Sequence, residues 1–235
     1  MSTPSSPSSG GAAPLSLGQR FVGILTSPKA TFENVVSWPR WAGMLLLTMA
    51  ITVVTVGAFM MTDVGYEVAL RQQLDAGAPR EQAEMGANIG RYIAPIAVLI
   101  FFPLMTLFIS AVLMGVFAIT GGTASFKQVL AVNVHSGVVG AVAGVVNTVI
   151  NYFMASGTNV TSLAGIGNAF SEGGFLAGFF SALDLTIFLG LFVLAIGLGV
   201  LYRRRTAPIF VGLSGVYIVI AVVIGAVKAA FAGGS

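Results

Sequence analysis

Residues 180–231 read FSALDLTIFLGLFVLAIGLGVLY, then RRR, then TAPIFVGLSGVYIVIAVVIGAVKAAF. Two apolar runs meet at Arg203, Arg204 and Arg205, with almost no connecting chain between them. Each run is long enough to cross a bilayer, which takes about 20 apolar residues in a helix. Arg and Lys clustered in a short connection stay on the cytoplasmic side, so this hairpin sets the orientation of the whole chain. It also contains Asp184, the one acidic residue inside an apolar run.

Composition extends the reading to the other residues. Of 235 residues, 56% are hydrophobic and 8% charged, and the mean hydropathy is +0.94. A soluble domain carries about 25% charged residues, so water is not the main solvent. The pI near 9.5 raises the question of nucleic acid. No basic stripe is interleaved with aromatics, and the one basic cluster lies between two apolar runs, so the basicity reads as topology. The chain has no cysteine and one histidine. Disulfides, thiolate catalysis and cysteine-based metal sites are excluded, and no metal or other cofactor is expected.

Five segments have the length and apolarity of spans: about 41–62, 92–119, 129–154, 180–202 and 207–231. The expectation is an all-α membrane protein of five transmembrane helices, occupying residues 41–231. Pro95 and Pro103 inside the second span predict a tilt or kink. Residues 1–18 begin with a Ser/Pro/Gly-rich stretch and read as a disordered tail. Residues 19–40 read as an amphipathic segment, with Ser27–Pro28 as a helix start and Phe32, Val35 and Val36 sharing a face. That face fits the membrane interface, or equally the cytoplasmic ends of the spans.

Loop charges fix the expected orientation. A cytoplasmic amino terminus places Arg20, Lys29, Arg40, Lys127 and the Arg203–Arg205 cluster inside. Arg71, Arg80, Arg91 and Lys228 then fall outside, so seven basic residues face in and four face out. Five spans leave the carboxy terminus outside. Between the first two spans, Tyr66, Leu70 and Leu74 at helical spacing, the pair Glu67–Arg71 and the start at Pro79 predict a polar helical hairpin. Ser125 and Gln128 predict a capping box entering the third span. Asn159-Val160-Thr161 is a glycosylation sequon on the expected outer side.

Small residues mark two helix faces, Gly137, Gly140, Ala141 and Gly144 in the third span and Ala221, Gly225 and Ala229 in the fifth. Such faces let helix backbones approach closely in lipid. They suit packing within one bundle first and a homo-oligomer second.

Polar residues within the spans are the candidate functional groups, because an ionisable side chain there is costly to insert. Counted from the outer end, Asp184 lies four residues into the fourth span, roughly 6 Å deep at the helical rise. Asn147 and Asn151 of the third span lie at a similar depth, so one or the other is expected to donate a hydrogen bond to Asp184. The functional version of this network is a proton or cation site. Ser214 sits in GLSG and His135 at matching depth, counted from the other end. A Ser–His hydrolase pair is therefore a remote alternative. Against it stand the number of spans, the order of the two residues and the low specificity of the string.

Several stretches also carry a resemblance. RFVGILTSPKATFENV at 20–35, GGTASFKQVLAVNVHS at 121–136 and SALDLTIFLGLFVLAIGLGVLYRRRTA at 181–207 resemble motifs of the YIP-domain family. These are membrane proteins named for interaction with Ypt/Rab GTPases. LRQQLDAGAPREQAE at 70–84 resembles the loops of bacterial members. Between His135 and Tyr152 the third span has no aromatic or proline residue, which departs from the family pattern. The resemblance implies a five-span bundle with a cytoplasmic amino terminus and, in eukaryotic relatives, a role in trafficking or membrane shaping.

The expected function is that of a non-enzymatic membrane organiser or adaptor. It would contact lipid and bind protein partners through the amino-terminal segment. A small transporter using Asp184 and the third-span asparagines is the alternative. The Ala/Gly-rich, cysteine-free chain suggests a bacterial inner membrane, with the ER or Golgi as the eukaryotic counterpart.

Overall fold

The computed structural model describes residues 13–155, 157, 160–170 and 174–232. The expected tail lies outside the described residues up to residue 12, as does Asn159 of the sequon. The described helices are α1 (Leu17–Thr26), α2 (Pro28–Ser37), α3 (Ala42–Met60), α4 (Asp63–Asp75) and α5 (Arg80–Ile119), followed by α6 (Phe126–Met154), α7 (Ala164–Phe170), α8 (Phe175–Ala182), α9 (Leu185–Tyr202) and α10 (Thr206–Ala232). Five of them, α3, α5, α6, α9 and α10, are long and apolar enough to cross a membrane. Their outer faces leave large apolar side chains such as Val54, Phe108, Phe153 and Val211 exposed. Water would not tolerate so much exposed apolar surface, whereas lipid requires it. The protein is an integral membrane protein with an all-helical five-span fold.

The third span, α6, is the axis of the bundle. It packs against α9, α3, α5, α1 and α2, and Val129, Val132 and Val138 are buried along it. Its start is fixed by the expected capping box: Ser125 Oγ accepts from Gln128 N, and Gln128 Oε1 accepts from Ser125 N at 3.0 Å. The fifth span, α10, packs on α8 and α9 at the edge. Its small-residue stripe is used there. Ala221 and Gly225 are buried, and a Cβ on Gly225 would lie 2.9 Å from Phe175 O. The α6 stripe differs, since a Cβ on Gly140 or Gly144 would meet nothing within 4 Å.

Two expected boundaries move. The second span was expected from residue 92, yet its helix runs unbroken from Arg80 through both prolines. At 40 residues it is about 60 Å long, so its first turns extend past any bilayer. They pair with α4 as a helical hairpin. The exposed ion pairs Arg71–Glu67 and Arg80–Glu84, each 2.9 Å, lie along its two helices. The Arg91 guanidinium lies 4.6 Å from the Tyr66 ring centroid and bridges them. No residue between Glu84 and Tyr92 stops a helix, because the glycines there pack inward: a Cβ on Gly86 would collide with Gln73.

The fourth span was expected from residue 180, but α8 ends at Ala182 and α9 begins only at Leu185. Between them Leu183 and Asp184 are extended, and the backbone pairs with another segment. Leu163 N donates to Leu183 O at 2.9 Å and Leu185 N to Thr161 O at 3.1 Å. Asp184 therefore stands at the head of the span and not four residues inside it.

The amino-terminal segment is folded. A second capping box, Ser16 with Gln19, opens α1, so Leu17 and Gly18 belong to a helix and not to the expected tail. Asn34 pins the chain before it, accepting from Leu15 N at 3.1 Å and donating to Ala13 O at 3.0 Å. Ile24, Phe32 and Val35 are buried to within 1% where α1 and α2 meet α6 and α9. Of the two placements open from the sequence, these helices pack on the end of the bundle, while Val22 and Leu25 stay exposed.

Candidate functional site

Asp184 is the N-cap of α9. Its Oδ1 accepts from Thr186 N, Thr186 Oγ1 and Thr161 Oγ1, each at 2.7 Å. Its backbone N–H donates to Tyr217 Oη at 3.0 Å, and Tyr217 Oη donates in turn to Ala182 O at 2.6 Å. An N-cap carboxylate satisfies amides that a helix start leaves open and faces the positive end of the helix dipole. With 6% exposure, Asp184 thus joins four elements: the α8–α9 break, the 160–163 segment, α9 and α10.

Asn147 reaches the same segment from α6, its Oδ1 accepting from Val160 N at 3.1 Å. The third and fourth spans are thereby linked through residues 160 and 161. Asn151 Oδ1 is buried without a hydrogen-bond partner. Thr161, Thr186 and Tyr217 were not singled out from the sequence. The spacing Asp184-Leu185-Thr186, a capping signature, was the available signal for one of them.

Ser214 and His135 are not joined by a hydrogen bond. Ser214 Oγ and His135 Nε2 are both buried without a partner. His135 Nδ1 lies 2.7 Å from Ala131 O. A carbonyl only accepts, so Nδ1 carries the proton and Nε2 is the bare nitrogen. Fully buried His135 has no bonded hydroxyl to deprotonate.

The opposite end of the molecule carries the α5–α6 and α9–α10 turns together with α1 and α2. Its basic residues are Arg20, Lys29, Arg40, Lys127 and the Arg203–Arg205 cluster, against Glu33 as its one acidic residue among the described residues. Arg20 is only 2% exposed. It donates from Nε to Leu15 O at 3.1 Å and from Nη1 to Arg40 O at 3.3 Å, while Nη2 has no partner. Burial, with the Arg40 cation nearby, pushes its pKa below the ordinary guanidinium value. The sequence carried a sign of this burial, since Arg20 lies four residues before Ile24 and shares its helix face.

A polar patch within the bundle also escaped the sequence reading. Asn133 Nδ2 donates to Thr106 O at 3.1 Å and to Ser110 Oγ at 3.0 Å. It borders an apolar cavity of about 690 Å³ between α3, α5, α6 and α9.

Comparison with protein-family models finds the Yip1 domain matching residues 22–227. The chain belongs to the Yip1 domain family. In this Yip1 domain the three motif-bearing stretches converge. A Cβ on Gly197, from the third stretch, would lie 2.6 Å from Val132 Cγ1 of the second and 2.9 Å from Phe32 Cε1 of the first. The second and third stretches meet again where a Cβ on Gly122 would lie 2.6 Å from Tyr202 Cε1. In this Yip1 domain the resembling residues thus share a packing role, seating α1 and α2 on the spans. No curated protein and no solved structure matches the chain.

Proposed function

We propose that this Yip1 domain protein is a non-enzymatic membrane organiser or adaptor. Its basic end would face the cytoplasm of a bacterium from the inner membrane, leaving the amino terminus inside and the carboxy terminus outside. The observation that carries this reading is the folded α1–α2 pair on the basic end. It is fixed to the spans by Ile24, Phe32 and Val35, and it presents Val22, Leu25, Lys29 and Glu33 outward. Buried anchors with an exposed mixed face form a rigid platform suited to a protein partner. The orientation reading is supported by the seven basic residues that gather at this end.

Asp184 belongs to the structural reading. A carboxylate committed to an N-cap and two threonine hydroxyls is a tie between elements, and a proton path needs more than one ionisable group along it. The absence of a hydrogen bond between Ser214 Oγ and His135 Nε2 argues against hydrolysis. A candidate face for self-association is the part of α6 where Gly140 and Gly144 meet no neighbour among the described residues. Gly144→Cys would test it cleanly in a chain without native cysteine. Disulfide-linked dimers are expected if two copies meet there, and monomers alone would remove that contact.

The decisive experiment compares the full chain with Val22→Glu and Lys29→Glu variants, purified in mild detergent and also reconstituted in liposomes. Stoichiometric partners are expected on the wild type and lost from the variants, with no ion or solute flux from either. Flux that depends on Asp184, with no partner at the α1–α2 face, would replace the adaptor by a transporter.

A further inference from the structure

At the basic end, independently of the adaptor surface, the α5–α6 turn and the α9–α10 turn flank an open cavity of about 430 Å³. Gly121, Gly122, Thr123 and Gln128 line one side, and Arg203 and Arg204 the other. We infer that this cavity binds the phosphate group of an anionic phospholipid drawn from the adjoining leaflet.

The charge around the cavity favours an anion. No carboxylate lines the cavity among the described residues. The described acidic residues other than Glu33 stand at the opposite end, on α4, on the start of α5 and at the head of α9. Two guanidiniums that turn no salt-bridge partner toward the cavity are suited to an anionic oxygen, and arginine matches phosphate geometry with paired donors. The N-terminus of α6, a helix of 29 residues, opens beside them at Ser125 and adds the positive end of its dipole.

The site is also held in shape by its own contacts. Arg204 is held in place: Nη2 donates to Thr120 O, and the guanidinium lies 5.8 Å from the centroid of Phe117. Phe117 stacks on Tyr202 with centroids 4.2 Å apart and planes within 4°. Tyr202 in turn closes on Gly122, where no side chain fits. Both turns are tight. Gly121 takes a φ of +82°, which suits glycine, but Arg203 takes +52°, a left-handed conformation that arginine rarely adopts. Local strain retained at an arginine facing a polar cavity points to a role for that side chain.

The location of the cavity suits a lipid. The cavity sits where the α5 and α9 spans end and the α6 and α10 spans begin. Apolar side chains of the adjoining turns, Val116 and Ile119 of α5 and Val211 of α10, stay exposed for acyl chains. A lipid phosphate held here would keep its acyl chains beside these exposed apolar side chains.

The test is native mass spectrometry of the delipidated full chain in detergent, titrated with phosphatidylglycerol or with phosphatidylcholine. Phosphatidylglycerol is expected to bind preferentially. Arg204→Gln and Arg203→Asn are each expected to weaken it about fivefold, the usual effect of one basic side chain near anionic lipid. Asparagine tolerates the left-handed backbone, so Arg203→Asn alone decides the matter if Arg204→Gln unfolds. Arg71→Gln, at the other end, should change nothing. Equal binding of the two lipids, or unchanged affinity in the folded variants, would overturn the assignment. Displacement of the lipid by an equal concentration of glycerol 1-phosphate would overturn its lipid source, since the ligand would then be a soluble phosphate ester.

Discussion

Replacing Asp184 separates the carboxylate's two potential roles. Asparagine keeps an oxygen for the Thr161 and Thr186 donors and remains a good N-cap, so Asp184→Asn should cost less than about 1 kcal/mol of stability. Leucine removes the cap and leaves those donors buried without an acceptor, so Asp184→Leu should cost about 2–4 kcal/mol. Unfolding in a mixed-micelle titration reads both. If Asp184→Asn were as damaging as Asp184→Leu, the negative charge itself would be required and an ion site would regain support. This residue also shows where sequence counting stops. That Asp184 is costly and therefore placed with purpose was legible from its apolar surroundings. Its donors were not, because Thr161 comes to it through backbone pairing of two irregular segments distant in sequence. Hydropathy has no term for that pairing, and it placed the residue inside a helix that in fact begins one residue later.

Among the elements, the spans were legible and their extensions were not. Continuous apolarity reports where lipid begins, so α3, α6 and α10 fall close to their expected limits. It does not report where a helix stops in water, and α5 accordingly starts twelve residues before the second span was expected. The α1–α2 pair was legible as amphipathic, but its seat was not, since that depends on the absent side chain at Gly197. Gly197→Ala would place a methyl 2.6 Å from Val132 Cγ1, costing about 1–3 kcal/mol of strain. Phe32→Ala would empty the same contact at a cost of about 3–5 kcal/mol. Both variants should expose α1 and α2 to trypsin at Arg20 and Lys29 while leaving the spans protected. The exposed change Val22→Glu should leave the cleavage pattern unaltered. Protection persisting in the Phe32 and Gly197 variants would mean that some other contact holds these helices.

For the molecule as a whole, the two ends differ in charge as well as in shape. One end gathers seven basic residues, the folded amino terminus and a polar cavity. The other carries the α4–α5 hairpin and the capped Asp184 junction. The adaptor reading requires the first end to face the cytoplasm. Because the chain contains no cysteine, that requirement can be tested with single introduced thiols. Lys29→Cys and Asp75→Cys both lie on exposed helix surface, at opposite ends, and intact spheroplasts carrying each would be treated with a membrane-impermeant maleimide. The expected result is that residue 75 labels at once and residue 29 only after permeabilisation. Labelling of residue 29 from outside, with residue 75 protected, would reverse the orientation and contradict the account.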